Sequence, residues 1–521
     1  MSRERVVVAG AGMAAGRLVE ELVRRGALGG GAGSGGGALD LTLVGAEPAP
    51  PYNRILLSSV LAGRHRLAEV GLRSRPWYAD QDVRLITGVR AEAVDRHRRL
   101  LRLVGGTSLP YDRLVLATGA SPVLPALRGA VDATGTLHPA VLTLRNLDDC
   151  DRLMSLLPTA RTAVVVGGSL LGLEAARALA EQGRRVDVVH AGAHLLHDHL
   201  DELAGTVLRE LVEGLGIGVH TGFPAVGVRL EGDRLVGVRL ADGFTLAADL
   251  VILACGVRPA VRLAHGAGLA VATGIVVDDQ LRCADAATGA LDPLVHALGD
   301  CAEHRGRVTG HVWPAWEQAG VLAAVLAGHP ARYAGSRPVV RLRAAGIDVA
   351  TVGDSAAAGA DVSTVEMANP LRGSYKRLVL RGHRLVGGVL IGDVASAAAL
   401  TVALDRPGLP VDRAGLLGMT GTGGSPQPAL DVAALPDTAR VCVCNAVSAG
   451  AIRAAARPGR SLREVAAATR ATTGCGTCHD TVAALIATGR TAEVGPCAVN
   501  VAPPTRDRYG STTPPTYRQL A

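Results

Sequence analysis

Aromatic side chains are nearly missing from this chain. Phe, Trp and Tyr make up 2% of its 521 residues, and only two are Phe. Cores must therefore be built from Ala, Val, Leu and Gly, which suits close packing of helices on sheets. Nucleic-acid binding by base stacking is not expected, because stacking needs exposed rings. Lysine is nearly absent as well: Lys376 is the only one, so the formal net charge of +7 rests on Arg. No basic run is long enough for a nucleic-acid arm, and the charge reads as a solvated Arg-rich surface. Long apolar runs are also lacking. The least charged stretch, residues 385–404, is broken by Gly387, Gly388 and Asp393, which predicts a strand and then a helix rather than a membrane span. No secretion signal precedes the first strand. The nine Cys are thus expected as reduced thiols or metal ligands, and the expected location is cytoplasmic. What the chain does have is length and 48% apolar residues, enough for three or four folded domains.

Two segments carry the same strand, Gly-rich turn and helix pattern. Residues 5–9 (RVVVA) lead into Gly10-x-Gly12-x-x-Ala15 and a helix through Arg25, then a strand at 41–44 and Glu47. Residues 162–166 (TAVVV) lead into Gly167-Gly168-Ser169-Leu170-Leu171-Gly172, a helix through Gln182 and a strand at 185–190. Glycine allows the tight turn and the close approach of backbone to a pyrophosphate, and the helix N-terminus adds free N–H groups and a positive dipole end. An acid after the second strand accepts a ribose hydroxyl, which fits Glu47. The second unit departs from the pattern twice: Ser169 replaces the middle glycine, and His190 ends the second strand. With Arg184 and Arg185 close by, the choice between NADH and NADPH stays open. Two such units predict two dinucleotide-binding folds. The glycine and serine tract at 29–37 reads as a surface loop. His190, His194, His197 and His199 crowd one stretch and read as solvated or nucleotide-edge histidines.

Two further patterns carry chemistry. Gly299-Asp300 follows a short strand, and such a pair can aim a carboxylate at a polyol chain such as ribityl. Cys442-x-Cys444 and Cys475-x-x-Cys478 pair four thiolates, which can hold a tetrahedral metal or a [2Fe–2S] cluster. Cys150, Cys255, Cys283 and Cys301 show no spacing that supports a redox-active disulfide, and Cys497 is left over.

At this level of detail a resemblance emerges. Residues 46–59 (AEPAPPYNRILLSS), 117–122 (ATGASP), 141–149 (VLTLRNLDD), 164–175 (VVVGGSLLGLEA), 254–259 (ACGVRP), 274–281 (GIVVDDQL) and 298–303 (LGDCAE) resemble the FAD- and NAD(P)H-binding portion of bacterial assimilatory nitrite reductase large subunits. They are also similar to ferredoxin and rubredoxin reductases, and to the electron-transfer subunit of assimilatory nitrate reductase. The Cys segment resembles bacterioferritin-associated ferredoxin, a small [2Fe–2S] module. The resemblance implies an α/β chain with two Rossmann-like dinucleotide-binding domains of the pyridine nucleotide-disulfide reductase type. A small α+β domain and a small C-terminal helical [2Fe–2S] domain complete it. The implied division is FAD-binding at 1–120 and 246–330, NAD(P)H-binding at 121–245, the α+β domain at 331–404, a linker at 405–439, the cluster domain at 440–490 and a disordered tail at 491–521.

The resemblance also implies roles. Gly10, Gly12 and Ala15 would hold the FAD pyrophosphate, with Glu47 on the ribose, Arg54 near the flavin, and Thr118 and Gly119 at the domain crossing. Gly299 and Asp300 would hold the ribityl chain, and Trp313 or Trp316 would pack on the isoalloxazine. Gly167, Ser169, Gly172 and Glu174 would surround NAD(P)H, and Cys442, Cys444, Cys475 and Cys478 would hold the cluster. No side chain is named as a catalytic acid or base. Electrons would pass from NAD(P)H through FAD and the cluster to a separate nitrate or nitrite reductase catalytic subunit. The further cysteine set of a sirohaem domain is absent from the sequence. The alternative acceptor is a monooxygenase ferredoxin or a bacterioferritin. No nucleic-acid or membrane partner is expected, and a homodimer is admitted.

Overall fold

The computed structural model describes residues 3–29, 38–337, 339–394, 396–405, 417, 432, 435–442, 445, 447–457, 459–473 and 478–491. Most of the tract at 29–37, most of the linker expected at 405–439 and the tail from 492 lie outside the described residues.

The first dinucleotide unit is built on an eight-stranded sheet. Within it Glu4–Ala9 pairs in parallel with Leu39–Gly45 on one side and Arg113–Leu116 on the other. Val6 to Ala9 are all buried, because helices or strands cover both faces, and a parallel strand in that position reads as a continuous apolar run. Leu291–Ala297 extends the sheet in parallel from Arg113–Leu116 and delivers Gly299 and Asp300 at its C-terminal end. The helix Met13–Arg24 and the helix Val312–Leu326 pack side by side on this unit.

The second unit is a five-stranded parallel sheet in the order Ile217–Thr221, Arg185–His190, Thr162–Val166, Leu250–Leu253, Val141–Thr143. The boundary expected at 245 cuts this sheet and moves beyond 253. Leu250–Leu253 is buried throughout, so it needs cover on both faces, and its place between Thr162–Val166 and Val141–Thr143 in the second sheet supplies it. The two units are joined by a crossing ribbon in which Ala120–Pro122 pairs antiparallel with Val257–Pro259.

The α+β unit is a five-stranded antiparallel sheet, ordered Val339–Ala344, Ile347–Gly353, Arg384–Ile391, Ser374–Arg381, Val362–Asn369, with the helix Ala397–Asp405 against it. The stretch 385–404 divides into a strand and a helix as expected, but the break falls at Asp393, while Gly387 and Gly388 lie inside the strand, which ends at Ile391. The C-terminal unit pairs Arg440–Cys442 with Val447–Ser448 and adds the helices Ala449–Ala455, Leu462–Thr469 and His479–Thr491. Ser448 and Ser461 cap the first two helices, Ser461 through a capping box with Glu464. No helix among the described residues is long and apolar enough to cross a membrane.

Candidate functional site

A cavity of about 1120 Å³ opens at the C-terminal edge of the first sheet, where ligands of open α/β sheets bind. Its floor is the turn Gly10–Gly12. Gly10 adopts φ +123°, and a Cβ there would lie 2.0 Å from the Ala117 carbonyl oxygen, so only glycine fits. Gly12 is the N-cap of Met13–Arg24, and no side chain caps that helix end. A Cβ on Gly12 would meet no protein atom within 4 Å and would project into empty space. Uncapped N–H groups facing an open cradle fit a pyrophosphate. Ala15 does not line the cavity. It is fully buried and lets the helix lie close on the sheet.

The second turn repeats the device. Gly167 adopts φ +122°, and its Cβ would fall 2.2 Å from the Ala254 carbonyl oxygen. A Cβ on Gly172 would fall 1.9 Å from the Gly167 carbonyl oxygen, so this third position needs glycine where the first unit tolerates Ala15. Ser169 is the N-cap of Leu170–Glu181, yet its hydroxyl does not cap the helix. It donates instead to the Ala254 carbonyl at 3.0 Å, which turns the side chain away and leaves the helix end open. This turn lies beside the cavity rather than in its wall. Leu170, Leu171 and Glu174, from the first turns of its helix, form the wall. Glu174 also accepts from the Ser58 hydroxyl of the first unit at 2.8 Å.

The remaining predicted residues gather around the same space. Glu47 accepts from the Tyr52 hydroxyl at 2.7 Å and pairs with Arg54, whose other nitrogen donates to the Arg145 carbonyl at 2.9 Å. Burial raises the pKa of Tyr52, and the bond to Glu47 adds to this, so the phenol stays a donor. Thr118 donates to the Ala260 carbonyl at 2.7 Å and Gly119 accepts from Ala260 N–H, which fastens the crossing ribbon. Gly299 donates its N–H to Gln318 at 2.7 Å, and Asp300 pairs with Arg145 at 3.0 Å. Trp313 lines the cavity. Trp316 does not: it is buried against Met13 and Ala315 beneath the Arg17 guanidinium, so it belongs to the core.

Sequence reasoning missed Tyr52, Arg145 and Gln318. Tyr52 and Arg145 sit inside stretches already marked by resemblance; Tyr52 meets Glu47 within its own stretch, whereas Arg145 meets Asp300 far along the chain. At the second turn, His190 Nδ1 accepts from Gly168 N–H at 3.2 Å and Nε2 lies 2.9 Å from His197 Nδ1. Burial chiefly, then His197, lowers the pKa of His190. Among the described residues no group of three His, Cys, Asp or Glu is placed to hold a metal ion. Cys442 and Cys478 are both buried in one small core with Val441, Ile452 and Val482. Cys444 and Cys475 lie outside the described residues.

Known proteins bear on this geometry. Residues 4–320 match the family described as "Pyridine nucleotide-disulphide oxidoreductase". Residues 338–406 match the "Rubredoxin NAD+ reductase C-terminal domain", and residues 440–488 the "BFD-like [2Fe-2S] binding domain". The chain is 32% identical over 492 residues to the "Assimilatory nitrate reductase electron transfer subunit" of Bacillus subtilis (strain 168), covering 93% of this chain and 60% of that protein. It is 33% identical to the "Nitrite reductase [NAD(P)H]" of the same organism, covering 92% of this chain and 57% of that one. The chain thus spans under two thirds of the length of these relatives. Among solved structures, the putidaredoxin reductase of a covalent putidaredoxin reductase–putidaredoxin complex superposes with a TM-score of 0.69 at 28% identity, covering 80% of this chain and 96% of that one. The two Gly-rich turns, the shared cavity and the paired cysteines are thereby accounted for together: the chain belongs to the pyridine nucleotide-disulphide oxidoreductase family, as an oxidoreductase of FAD and NAD(P)H with a [2Fe–2S] domain.

Proposed function

We propose that this protein draws electrons from NAD(P)H and delivers them through FAD and its [2Fe–2S] centre to a separate nitrate or nitrite reductase catalytic subunit. One observation carries the reading: a single cavity takes its walls from both dinucleotide units, so the nicotinamide and isoalloxazine rings have one place to meet. The bound groups supply hydride acceptance at the flavin and one-electron carriage at the cluster.

The chain's own residues supply placement. Gly10 and Gly12 bring backbone N–H groups to the FAD pyrophosphate, and Glu47 keeps lone pairs for the ribose beyond those used by Tyr52 and Arg54. Arg54 stands beside the flavin, Thr118 and Gly119 hold the crossing, and Asp300, oriented by Arg145, takes the ribityl chain. Trp313 flanks the ring system. Gly167, Ser169 and Gly172 hold NAD(P)H, and Glu174, tied to Ser58, fixes the second unit's wall against the first. Cys442, Cys444, Cys475 and Cys478 hold the cluster. We place the protein in the cytoplasm, with the nicotinamide pool. The route from cavity to cluster runs within one chain, so a homodimer would leave it unchanged.

The acceptor resembles that of the Bacillus subtilis electron transfer subunit named above. The test is anaerobic titration of the reconstituted protein with NADH and with NADPH, followed optically and by electron paramagnetic resonance. Bleaching near about 450 nm together with a reduced-cluster signal is expected. Electron delivery to a purified nitrate or nitrite reductase subunit is then measured. A protein that bleaches but transfers only to unrelated ferredoxins overturns the acceptor assignment. One that fails to bleach overturns the whole reading.

A further inference from the structure

Two arginines reach out of the C-terminal unit into the first dinucleotide unit. Arg440 opens the strand Arg440–Cys442, and its guanidinium carbon sits 3.8 Å from the centre of the Trp313 ring. One of its nitrogens lies 2.7 Å from Glu317. Arg470 lies 2.8 Å from Glu20. Glu20 is on the helix Met13–Arg24 and Glu317 on the helix Val312–Leu326, so the small unit straddles the two helices whose N-termini border the cavity.

Both acceptors are also held by residues outside the C-terminal unit. Glu317 takes a hydrogen bond from Ser336, which is itself bonded to the Tyr333 hydroxyl at 2.6 Å. Glu20 is held by Arg73 at 2.8 Å and by Arg17 at 3.4 Å. Arg470 is aimed in turn. It ends the helix Leu462–Thr469 in the left-handed region, φ +64°, a position that favours glycine. The buried Asn445 donates to its carbonyl at 2.7 Å. A strained arginine, pinned by a buried amide and pointing at a nearly buried carboxylate, is an expensive choice for a surface residue without a task.

We propose that Arg440 and Arg470 are the clamps that dock the [2Fe–2S] unit on the FAD unit, and that Trp313 is the positioning residue bridging the two. Trp313 both lines the cavity and carries the Arg440 guanidinium over its ring. Cys442 follows two residues along the same strand, ~6.6 Å of backbone further on. The clamps flank the cluster-binding segments, with Arg440 two residues before Cys442 and Arg470 five before Cys475. The purpose of docking rests on the function proposed above; its geometry does not. Guanidinium fits the role because its flat face stacks on indole while its edge pairs with a carboxylate.

The test uses the full-length holoprotein and hydrogen–deuterium exchange. Arg440→Glu is expected to raise exchange about five-fold or more at residues 312–317 and at 440–442, the shift expected from losing one stacked ion pair. The double variant Arg440→Glu with Glu317→Arg should restore most of the protection. Arg470→Gly relieves the left-handed cap, so it should leave the helix Leu462–Thr469 as protected as before while exposing the face around Glu20. Stopped-flow mixing separates docking from function. Bleaching of the flavin by NAD(P)H should be unchanged in Arg440→Glu, with cluster reduction slowed. Unchanged exchange at both faces in Arg440→Glu and Arg470→Gly overturns the docking, even if the cluster is still reduced. Altered exchange in a protein whose cluster NAD(P)H never reduces would leave the docking standing and overturn the function.

Discussion

Gly10 and Gly12 are two residues apart in the same turn, yet alanine should do opposite things at each. At Gly10 the added methyl would sit 2.0 Å from the Ala117 carbonyl oxygen, in a φ region closed to L side chains. Ala117 follows the central strand Arg113–Leu116 and donates its N–H to Ala9, so it cannot yield without opening the sheet. Backbone strain of about 1–3 kcal/mol plus that displacement should cost about 3 kcal/mol or more in stability. At Gly12 the methyl meets no protein atom within 4 Å and φ is −90°, so folding should change by no more than about 1 kcal/mol, chiefly through the poorer N-cap. Its target is the ligand. The methyl would fill the open space proposed for the pyrophosphate and would remove at least one of the charge-assisted N–H bonds proposed there, each worth roughly 1.5–3 kcal/mol. FAD affinity should fall about 10- to 100-fold. Two measurements settle it: thermal unfolding of the cofactor-free proteins, and FAD binding followed by flavin fluorescence. Gly10→Ala should lower the first unfolding transition by several degrees, while Gly12→Ala should leave it near the parent's and lose FAD. If Gly12→Ala destabilises the cofactor-free protein as much as Gly10→Ala, or binds FAD as tightly as the parent, the cradle argument is wrong.

Other outcomes follow from the same geometry. Ser169→Gly removes only the bond to the Ala254 carbonyl, so KM for NAD(P)H should change less than about three-fold, whereas Ser169→Val, too bulky to turn aside, should raise it at least about ten-fold. Steady-state kinetics with a dye acceptor distinguishes the two. Cys442→Ser should abolish the cluster's paramagnetic signal while leaving flavin content unchanged, because the thiol lies in a separate small core. His296 is buried on Leu291–Ala297, and burial lowers its pKa from 6.5 to about 4, with Arg113 adding to this. A depressed histidine stays neutral in the folded state while the unfolded chain takes up a proton. Stability is therefore whole above pH 6.5 and falls as the pH drops toward 4, by up to about 3 kcal/mol. His296→Leu should flatten the decline between these limits in urea titrations. An equal decline in both proteins would assign acid sensitivity to other groups.

Much of this was legible because its rules are local. The strand, turn and helix order of both dinucleotide units follows from apolar runs and glycine spacing, and the strand Glu4–Ala9 starts one residue before its expected position. The cavity side of the second turn was legible only in part. Gly167, Ser169 and Gly172 shape the helix start, and Leu170 and Leu171 reach the cavity, a consequence of helix direction that spacing alone does not give; Glu174, which reaches it too, was marked by the resemblance. The split between the tryptophans was hidden for a related reason. Trp313 and Trp316 stand one turn apart on Val312–Leu326, and only the packing of Met13 decides which one is core. Val362–Asn369 escaped notice because it is an exposed edge strand with little apolar alternation to betray it.

Composition hid the clamps more thoroughly than distance did. Of the 54 Lys and Arg residues, one is Lys, so an Arg at 440 or 470 carries no signal. The exception shows what the two side chains are used for. Lys376 is buried in the α+β unit, its ammonium 2.6 Å from Asp393 and 3.2 Å from the Leu417 carbonyl, where a compact charge with separate donors serves several acceptors. Arg440 needs something different: a plane to lie on Trp313 and an edge for Glu317. Arg440→Lys therefore separates charge from shape. The ammonium can still pair with Glu317 but loses the flat stacking surface, so it should recover only part of the protection lost in Arg440→Glu at residues 312–317. Full recovery would mean that charge alone holds the two units together.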